Sequence, residues 1–208
     1  MKLLLLYGST DGQTDKIARH IKSEAEKSGV EVSIYNAADN PPAPKGFDGV
    51  IIGSSIRDRA FQARVVAYVR TYVSELNTIP SIFFTVSSAA IGLREQGPKS
   101  WRRKGLTVLV DTFLKESGWK PLLVEHIAGA IKFTKYSWQT KAGFWLMALF
   151  SGWDRDTSID HEYTDWEAVD AFVKVAYQQI KTRNEQISSA RTFRVPSDLR
   201  MHSCYFSC

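Results

Sequence analysis

A loop rich in glycine and hydroxyl side chains is the part of this sequence whose residue types and spacing could do chemistry. It reads Gly8-Ser9-Thr10-Asp11-Gly12-Gln13-Thr14 and runs directly into a stretch with helical periodicity. Free N–H groups at a helix N-terminus, together with hydroxyl donors, bind an anion without any lysine or arginine. The loop lacks the lysine of a Walker A sequence and the spacing of a GxGxxG fingerprint. It therefore predicts a phosphate site, with a ligand-free Ser/Thr-rich turn as the alternative.

Alternating strand and helix patterns position this loop. Apolar or alternating runs typical of strands cover residues 3–7, 30–35, 49–53, 82–86 and 121–128. Helical periodicity covers residues 14–28, 62–76 and 105–117, and a last amphipathic helix begins near Thr164 and Glu167, which stand in capping-box spacing. This order predicts an α/β fold with a doubly wound, five-stranded parallel sheet and right-handed crossovers. Ligands of such sheets bind beyond the carboxyl ends of the strands, where this loop lies.

Composition bounds the classes of function. The chain has 208 residues, 44% of them hydrophobic and 24% charged, which suits a globular domain over residues 1–182. Residues 183–208 lose periodicity and are predicted to form a weakly ordered C-terminal tail. The formal net charge of +5 suits anionic lipid, nucleic acid or an acidic small molecule, or is simply a basic surface. No nucleic-acid-binding motif and no Cys/His cluster at metal spacing is present in the sequence, so neither nucleic acid nor a metal is expected.

The loop after the first strand resembles the phosphate loop of flavodoxins, whose usual form is (S/T)-x-T-G-x-T. Ser9, Thr10, Gly12 and Thr14 match that form. Asp11 stands where flavodoxins usually place a hydroxyl residue. Its carboxylate would repel a phosphate unless the side chain turns away and caps the helix. The resemblance implies a flavodoxin-like fold with strand order 2-1-3-4-5 and bound FMN.

In the flavodoxin fold, the loops after the third and fourth strands border the flavin ring. In this sequence these positions are Ser54, Ser55, Ile56, Ser87, Ser88 and Ala89. The tryptophan that electron-transfer flavodoxins usually place beside the ring is missing, which leaves a flavin face open to a bulky substrate. Arg57 would favour an anionic reduced flavin or meet a substrate carboxylate, and a plain surface arginine is the alternative.

A segment before the last helix, residues 132–153, has the composition of a membrane-surface element. Its uncharged part, residues 142–153, is too short to cross a bilayer, which needs about 20 residues. It combines lysines and tryptophans, namely Lys132, Lys135, Lys141, Trp138, Trp145 and Trp153. Such a combination favours an interfacial helical insertion with peripheral membrane contact, and a core helix is the alternative.

Several motifs together narrow the resemblance to one family. They are Ser-Thr-Asp-Gly-Gln-Thr (9–14), Ile-Gly-Ser-Ser-Ile-Arg (52–57), Ala-Gly-Ala (128–130), the Tyr/Trp/Lys-rich segment and Tyr-Thr-Asp-Trp-Glu (163–167). From residue 1 to about residue 182, the chain resembles the bacterial menaquinone-dependent protoporphyrinogen IX dehydrogenases. The resemblance implies that FMN is bound non-covalently and that protoporphyrinogen IX is oxidised to protoporphyrin IX in three two-electron steps. The electrons would pass to menaquinone or ubiquinone at the cytoplasmic face of the cell membrane.

The resemblance also implies roles for single residues. The phosphate would be held by Ser9, Thr10, Gly12, Gln13 and Thr14, and the ring would be lined by Ser54, Ser55, Ile56, Ser87, Ser88 and Ala89. Arg57, Arg102 and Arg103 would meet the propionates of the substrate, and no acid or base is assigned. The alternatives are an NAD(P)H-dependent quinone or small-molecule reductase on the same fold, an electron-shuttle flavodoxin, and a flavin-free binding module.

Overall fold

Residues 1–91, 100–131 and 159–192 are described by a computed structural model of the chain, except for the side chains of residues 100–103, 131, 191 and 192. The strands are β1 (Lys2–Gly8), β2 (Glu31–Asn36), β3 (Gly49–Arg57), β4 (Ala60–Phe61), β5 (Ser81–Ser87), β6 (Leu123–Ala128), β7 (Ala130–Ile131) and β8 (His161–Glu162). The helices are α1 (Gln13–Lys27), α2 (Ala63–Thr71), α3 (Val73–Leu76), α4 (Ser100–Ser117) and α5 (Trp166–Thr192), with a 3₁₀ turn at Ser88–Ala90.

The five longer strands form one parallel sheet in the order β2-β1-β3-β5-β6. Because β5 and β6 are the fourth and fifth strands that the sequence predicts, the predicted order 2-1-3-4-5 is confirmed. Strand β4 was not predicted, since two residues carry no periodicity; it pairs antiparallel with the end of β3. Strands β7 and β8 form a separate antiparallel pair. This pair brings together the two chain segments that precede and follow residues 132–158.

Both faces of the sheet are covered by helices, which explains the run of four leucines in β1. Leu3 and Leu5 pack in one core together with α1 and α5, whereas Leu4 and Leu6 pack in a second core with α2 and α4. All four leucines are at most 1% exposed. A strand buried on both faces reads as continuously apolar, so its period-two signal disappears.

The helix faces predicted from periodicity are the faces that are buried. In α1 the buried apolar residues are Ile17, Ala18, Ile21 and Ala25, and in α5 they are Val169, Phe172, Val173, Ala176 and Ile180. The predicted helix over 62–76 divides at Tyr72, whose backbone leaves the helical region, into α2 and α3. Periodicity missed this break because the apolar spacing continues across it.

The boundaries of α4 and α5 differ from those predicted. Helix α4 begins at Ser100, five residues before the predicted start. Thr164 does not cap α5, since its hydroxyl donates to the carbonyl of Ala128 at 2.8 Å. The cap of α5 is Asp165, whose Oδ1 accepts from Ala168 N–H. The expected weak order from residue 183 is wrong as far as Thr192, where α5 ends. Asn184 Nδ2 helps hold this extension by donating to the carbonyl of Asp48 at 2.8 Å.

Candidate functional site

A cavity lies at the carboxyl ends of β1, β3, β5 and β6, and is here called the strand-end cavity. Its lining residues are Ser9, Thr10, Asp11, Gln13, Thr14, Ser55, Ile56, Arg57, Asp58, Val86, Ser87, Ser88, Gly129 and Ala130. The fold thus brings together the three loops that sequence analysis singled out. It also adds Gly129 and the start of β7, which belong to the Ala-Gly-Ala motif (128–130) but were not predicted to bind the cofactor.

The loop between β1 and α1 is shaped by Gly12. Its backbone has φ of +90°, a left-handed conformation that suits glycine, and its N–H donates to Ser9 Oγ at 2.9 Å. Gly12 itself does not line the cavity, so its role is to turn the chain into α1 and not to contact a ligand with a side chain. Within the described residues, no side chain caps the first turn of α1. The N–H groups of that turn are therefore oriented as anion donors in the sense expected.

The Asp11 side chain does not cap α1, which was the role considered for it from the sequence. Its Oδ1 lies 3.5 Å from Arg57 Nη1, across the mouth of the strand-end cavity. The pair joins the β1–α1 loop to the end of β3. Both residues line the cavity, and the Arg57 side chain is about half exposed, at 47%. The arginine therefore offsets the negative charge that Asp11 would otherwise present to an anion.

Two buried hydroxyl groups in the cavity wall lack a hydrogen-bond partner among the described residues: Thr14 Oγ1 and Ser87 Oγ. Thr14 is 1% exposed and lies in the first turn of α1, and Ser87 is 6% exposed at the end of β5. By contrast, buried Thr85 donates to or accepts from His126 Nδ1 at 2.8 Å. Buried hydroxyls are nearly always paired, so two exceptions in one cavity indicate a polar ligand.

Ser54 and Ala89 do not line the cavity, contrary to the sequence prediction. Ser54 is fully buried, and its hydroxyl donates to the carbonyl of Ser55 and accepts from Gln62 N–H at 3.0 Å. Its hydrogen-bonding capacity is thus used within the protein. Side-chain placement on a pleated strand alternates between faces, and this decides which serine of a pair points to a ligand.

Gln62 is the residue of this region that sequence reasoning missed. It lies at the N-terminus of α2, and its Nε2 donates to Thr10 Oγ1 at 2.7 Å and to Ser55 Oγ at 2.9 Å. The amide therefore connects the predicted phosphate loop to the carboxyl-terminal part of β3. A lone glutamine at the start of a predicted helix gives no signal in a single sequence.

Gln13 closes the cavity on the side of β6 and α5. Its Nε2 donates to Thr164 Oγ1 at 2.9 Å, and Thr164 in turn donates to Ala128. The Gln13 side chain is thus occupied within the protein, which leaves its main-chain N–H as the group suited to an anion.

An ion pair beside this network connects α1 to β8. Lys16 Nζ lies 2.6 Å from Glu162 Oε2, and Trp166 Nε1 donates to the other carboxylate oxygen. Burial by itself would raise the pKa of Glu162, but the hydrogen bonds from Lys16, Gln13 and Trp166 and the charge of Lys16 outweigh it and lower the pKa. The carboxylate therefore stays ionised and holds β8 against α1.

The other residues predicted to bind substrate or the membrane lie outside the described side chains. Arg102 and Arg103 fall in the first turn of α4, and their side chains lie outside the described part of the structure. The whole membrane-surface segment, residues 132–153, also lies outside the described residues.

His20, Glu24 and Asp170 bring three possible metal-ligand atoms within 4.8 Å of one another between α1 and α5. His20 Nε2 and Asp170 Oδ1 are already 2.6 Å apart, so this group serves as a helix–helix contact.

Comparison with known proteins places these features in context. Residues 4–158 match the family described as Flavodoxin domain. The chain is 32% identical over 177 residues to protoporphyrinogen IX dehydrogenase (quinone) of Escherichia coli strain K12, across 84% of this chain and 93% of that protein. It is also 32% identical over 176 residues to the protein of that name from Leishmania major, across 82% and 72% of the two chains.

Among solved structures, the rubredoxin oxygen:oxidoreductase of the anaerobe Desulfovibrio gigas is similar, with a TM-score of 0.50. The identity is 13%, and the match covers 89% of this chain and 36% of that one. This likeness concerns the fold alone.

Proposed function

Since the chain belongs to the flavodoxin domain family and is an oxidoreductase, we propose that it binds FMN in the strand-end cavity and oxidises protoporphyrinogen IX to protoporphyrin IX. A membrane quinone is the proposed electron acceptor. The names of relatives at 32% identity support this substrate and acceptor.

The cofactor proposal depends mainly on two buried hydroxyls that have no hydrogen-bond partner in the described part of the chain, Thr14 Oγ1 and Ser87 Oγ. Leaving a buried hydroxyl unsatisfied costs about 1–3 kcal/mol, which a ligand acceptor or donor would recover. Thr14 lies at the positive end of the α1 dipole, where a phosphate dianion is favoured. Ser87 lies at the end of β5, two strands across the sheet from β1, at a position suited to a polar atom of the ring.

The residues present therefore fit FMN, with a division of roles along the cavity. The hydroxyls of Ser9, Thr10 and Thr14 and the first N–H groups of α1 would hold the phosphate, and Ser55, Ile56, Ser87 and Ser88 would border the ring. FMN bound there would supply the capacity to accept two electrons from the substrate and pass them on. The protein itself contributes binding, orientation and the electrostatic environment.

Arg57 is proposed to bind a carboxylate of the substrate. It lines the mouth of the cavity at the end of β3, and its side chain is 47% exposed, within reach of a ligand from solvent. Protoporphyrinogen IX carries two propionates, and a guanidinium pairs with a carboxylate through two parallel hydrogen bonds. Asp11 competes for the same guanidinium at 3.5 Å, so substrate binding would exchange one carboxylate partner for another.

Peripheral contact with the cytoplasmic face of the membrane is proposed through residues 132–153, whose lysines and tryptophans support it. Strand β7 leads into this segment directly from the cavity, since Ala130 lines it. In this proposal, a quinone dissolved in the lipid would accept the electrons close to the membrane surface. Among the described residues, no helix is both long and apolar enough to cross a bilayer.

The test is anaerobic turnover of protoporphyrinogen IX by the FMN-loaded protein with a water-soluble menaquinone analogue, followed by porphyrin fluorescence. We expect porphyrin to form faster than in the uncatalysed reaction and only when the quinone is present. Reactions without protein, without FMN and without quinone are the controls.

A different result would change the assignment. Porphyrin formation at the uncatalysed rate by protein that carries stoichiometric FMN would refute the substrate assignment. If NADPH then bleached the flavin rapidly, the protein would be a reductase fed by that donor. A purified protein that takes up no FMN at all would refute the cofactor as well.

A further inference from the structure

The side-chain amide of Gln62 contacts the β1–α1 loop and the carboxyl-terminal part of β3, both of which line the cavity. Its Nε2 lies 2.7 Å from Thr10 Oγ1 and 2.9 Å from Ser55 Oγ, and these two oxygens lie 3.2 Å from each other. The three groups form a closed triangle, called here the amide–hydroxyl triangle. Thr10 is 52 residues from Gln62 in the chain, so the triangle exists only in the folded protein.

The position of Gln62 is fixed by its own main chain. Its N–H donates to Ser54 Oγ at 3.0 Å, and its carbonyl accepts from Val65 N–H at 2.9 Å at the start of α2. The aliphatic part of the side chain lies directly over Gly8: a Cβ added there would stand 2.7 Å from Gln62 Cβ and 2.9 Å from Gln62 Cγ. The glutamine is thus held against the end of β1 before any ligand arrives.

The amide–hydroxyl triangle contains one more hydroxyl proton than it can use. An amide NH₂ group can only donate, and both of its protons are directed to the two hydroxyl oxygens. Each hydroxyl keeps one proton of its own, and the contact between Thr10 and Ser55 can use only one of the two. One O–H therefore remains to which neither Gln62 Nε2 nor the other hydroxyl can serve as acceptor. Both hydroxyl residues line the cavity, so that proton is available to a ligand acceptor.

We propose that Gln62 is a positioning residue that leaves one O–H of the Thr10 and Ser55 pair directed as a donor toward bound FMN. It does so without lining the cavity itself. The inference rests on the proposed binding of FMN. It adds that a residue outside the cavity wall determines whether the wall hydroxyls donate or accept hydrogen bonds. A carboxylate at this position would reverse that polarity, because both hydroxyls would donate to it and neither would donate to the ligand.

Two variants of Gln62 distinguish the hydrogen-bonding role of its side chain from the space that the side chain fills. Gln62→Glu keeps the length of the side chain but turns a donor into an acceptor, and Gln62→Met keeps the length and removes hydrogen bonding. Gln178→Glu, on the exposed surface of α5, introduces the same charge change far along that helix and is the matched control. FMN affinity is measured by quenching of flavin fluorescence, and folding by the unfolding midpoint of the FMN-free protein.

We expect Gln62→Glu to bind FMN about tenfold more weakly than the wild type, as for one lost hydrogen bond to a charged group, and Gln62→Met to lose less. The control should match the wild type. The deficit of Gln62→Glu should shrink as the pH falls from about 8 to about 4, because the protonated carboxyl becomes a donor again. The wild type measured at each pH accounts for titration of the FMN phosphate itself.

Equal FMN affinities of the wild type and Gln62→Glu would overturn the inference, as would a deficit that is the same in Gln62→Met and independent of pH. The latter result would mean that Gln62 only stabilises the loops. Wild-type protein that binds FMN without oxidising protoporphyrinogen IX would remove the proposed substrate and leave the binding comparison decisive for Gln62. Failure of the wild type to take up FMN would overturn both proposals.

Discussion

Replacing Thr14 by valine tests the cofactor site through two effects of opposite sign. Thr14 is 1% exposed, and its hydroxyl has no partner among the described residues. Valine has nearly the same shape and helix propensity but no hydroxyl. Removing an unsatisfied hydroxyl recovers part of a desolvation cost of about 1–3 kcal/mol. For the FMN-free protein we therefore expect about 1 kcal/mol of added stability, or a Tm higher by about 2–4 °C for a domain of this size.

The same substitution should weaken the binding of FMN. If the hydroxyl of Thr14 donates to the phosphate dianion, its loss removes a hydrogen bond to a charged group, worth about 1.5–3 kcal/mol. The Kd for FMN should then rise by about 10- to 150-fold. Riboflavin lacks the phosphate, so its affinity should be unchanged and serves as the internal control for the shape of the cavity.

The matched control is Thr85→Val, also a fully buried threonine in the described part of the chain. Its hydroxyl is paired with His126 Nδ1 at 2.8 Å, so this variant should lose stability and not gain it. Thermal unfolding of the FMN-free proteins and fluorescence titration with both flavins measure the two effects. A Thr14→Val protein that unfolds at a lower temperature and still binds FMN as the wild type does would refute the reasoning, because the hydroxyl would then serve the fold alone.

Three other predictions follow from contacts around the cavity. Gly8→Ala places a Cβ 2.7 Å from Gln62 Cβ and should cost about 1–3 kcal/mol of unfolding free energy in a denaturant titration; an unchanged midpoint would show that the loop yields freely. Arg57→Gln should raise the KM for protoporphyrinogen IX about tenfold or more with FMN affinity preserved, and an unchanged KM would contradict a carboxylate contact. The lowered pKa of Glu162 contributes stability that is present above the ordinary carboxyl pKa and is lost as the pH falls through the lowered value. Between about pH 6 and about pH 3, the unfolding free energy of Glu162→Gln should therefore fall less than that of the wild type, by under about 1 kcal/mol because Lys16 is exposed. Equal falls in the two proteins would contradict it.

Local patterns predicted most of the framework. The apolar stripe of α1 and the four leucines of β1 are local in sequence, and burial of an apolar face determines both. The position of the loop after β1 follows as well, because parallel strands end at one edge of the sheet. The residues that follow the predicted third and fourth strands were expected to border the same site from the resemblance to flavodoxins, and Ser55, Ile56, Ser87 and Ser88 line the cavity.

Errors arose where a side chain had a partner far along the chain. The capping-box spacing of Thr164 and Glu167 was misleading, since Thr164 donates to Ala128 and accepts from Gln13, which is 151 residues away. The extension of α5 past residue 182 lacks a clear apolar stripe, and Asn184 holds it by a hydrogen bond to the main chain of Asp48. Periodicity detects burial against a core and does not detect such single polar contacts.

The sequence by itself thus determined the α/β fold, the strand order implied by the family resemblance, and the position of the glycine- and hydroxyl-rich loop at the start of α1. The tertiary structure alone decided which hydroxyls of the site have partners within the described part of the protein. Ser54 Oγ accepts from Gln62 N–H, Thr10 Oγ1 and Ser55 Oγ accept from the Gln62 amide, and Thr14 Oγ1 has no partner among the described residues. The physical reason is that a hydroxyl's role depends on which donors and acceptors surround it, and these come from strands that only the folded sheet brings together.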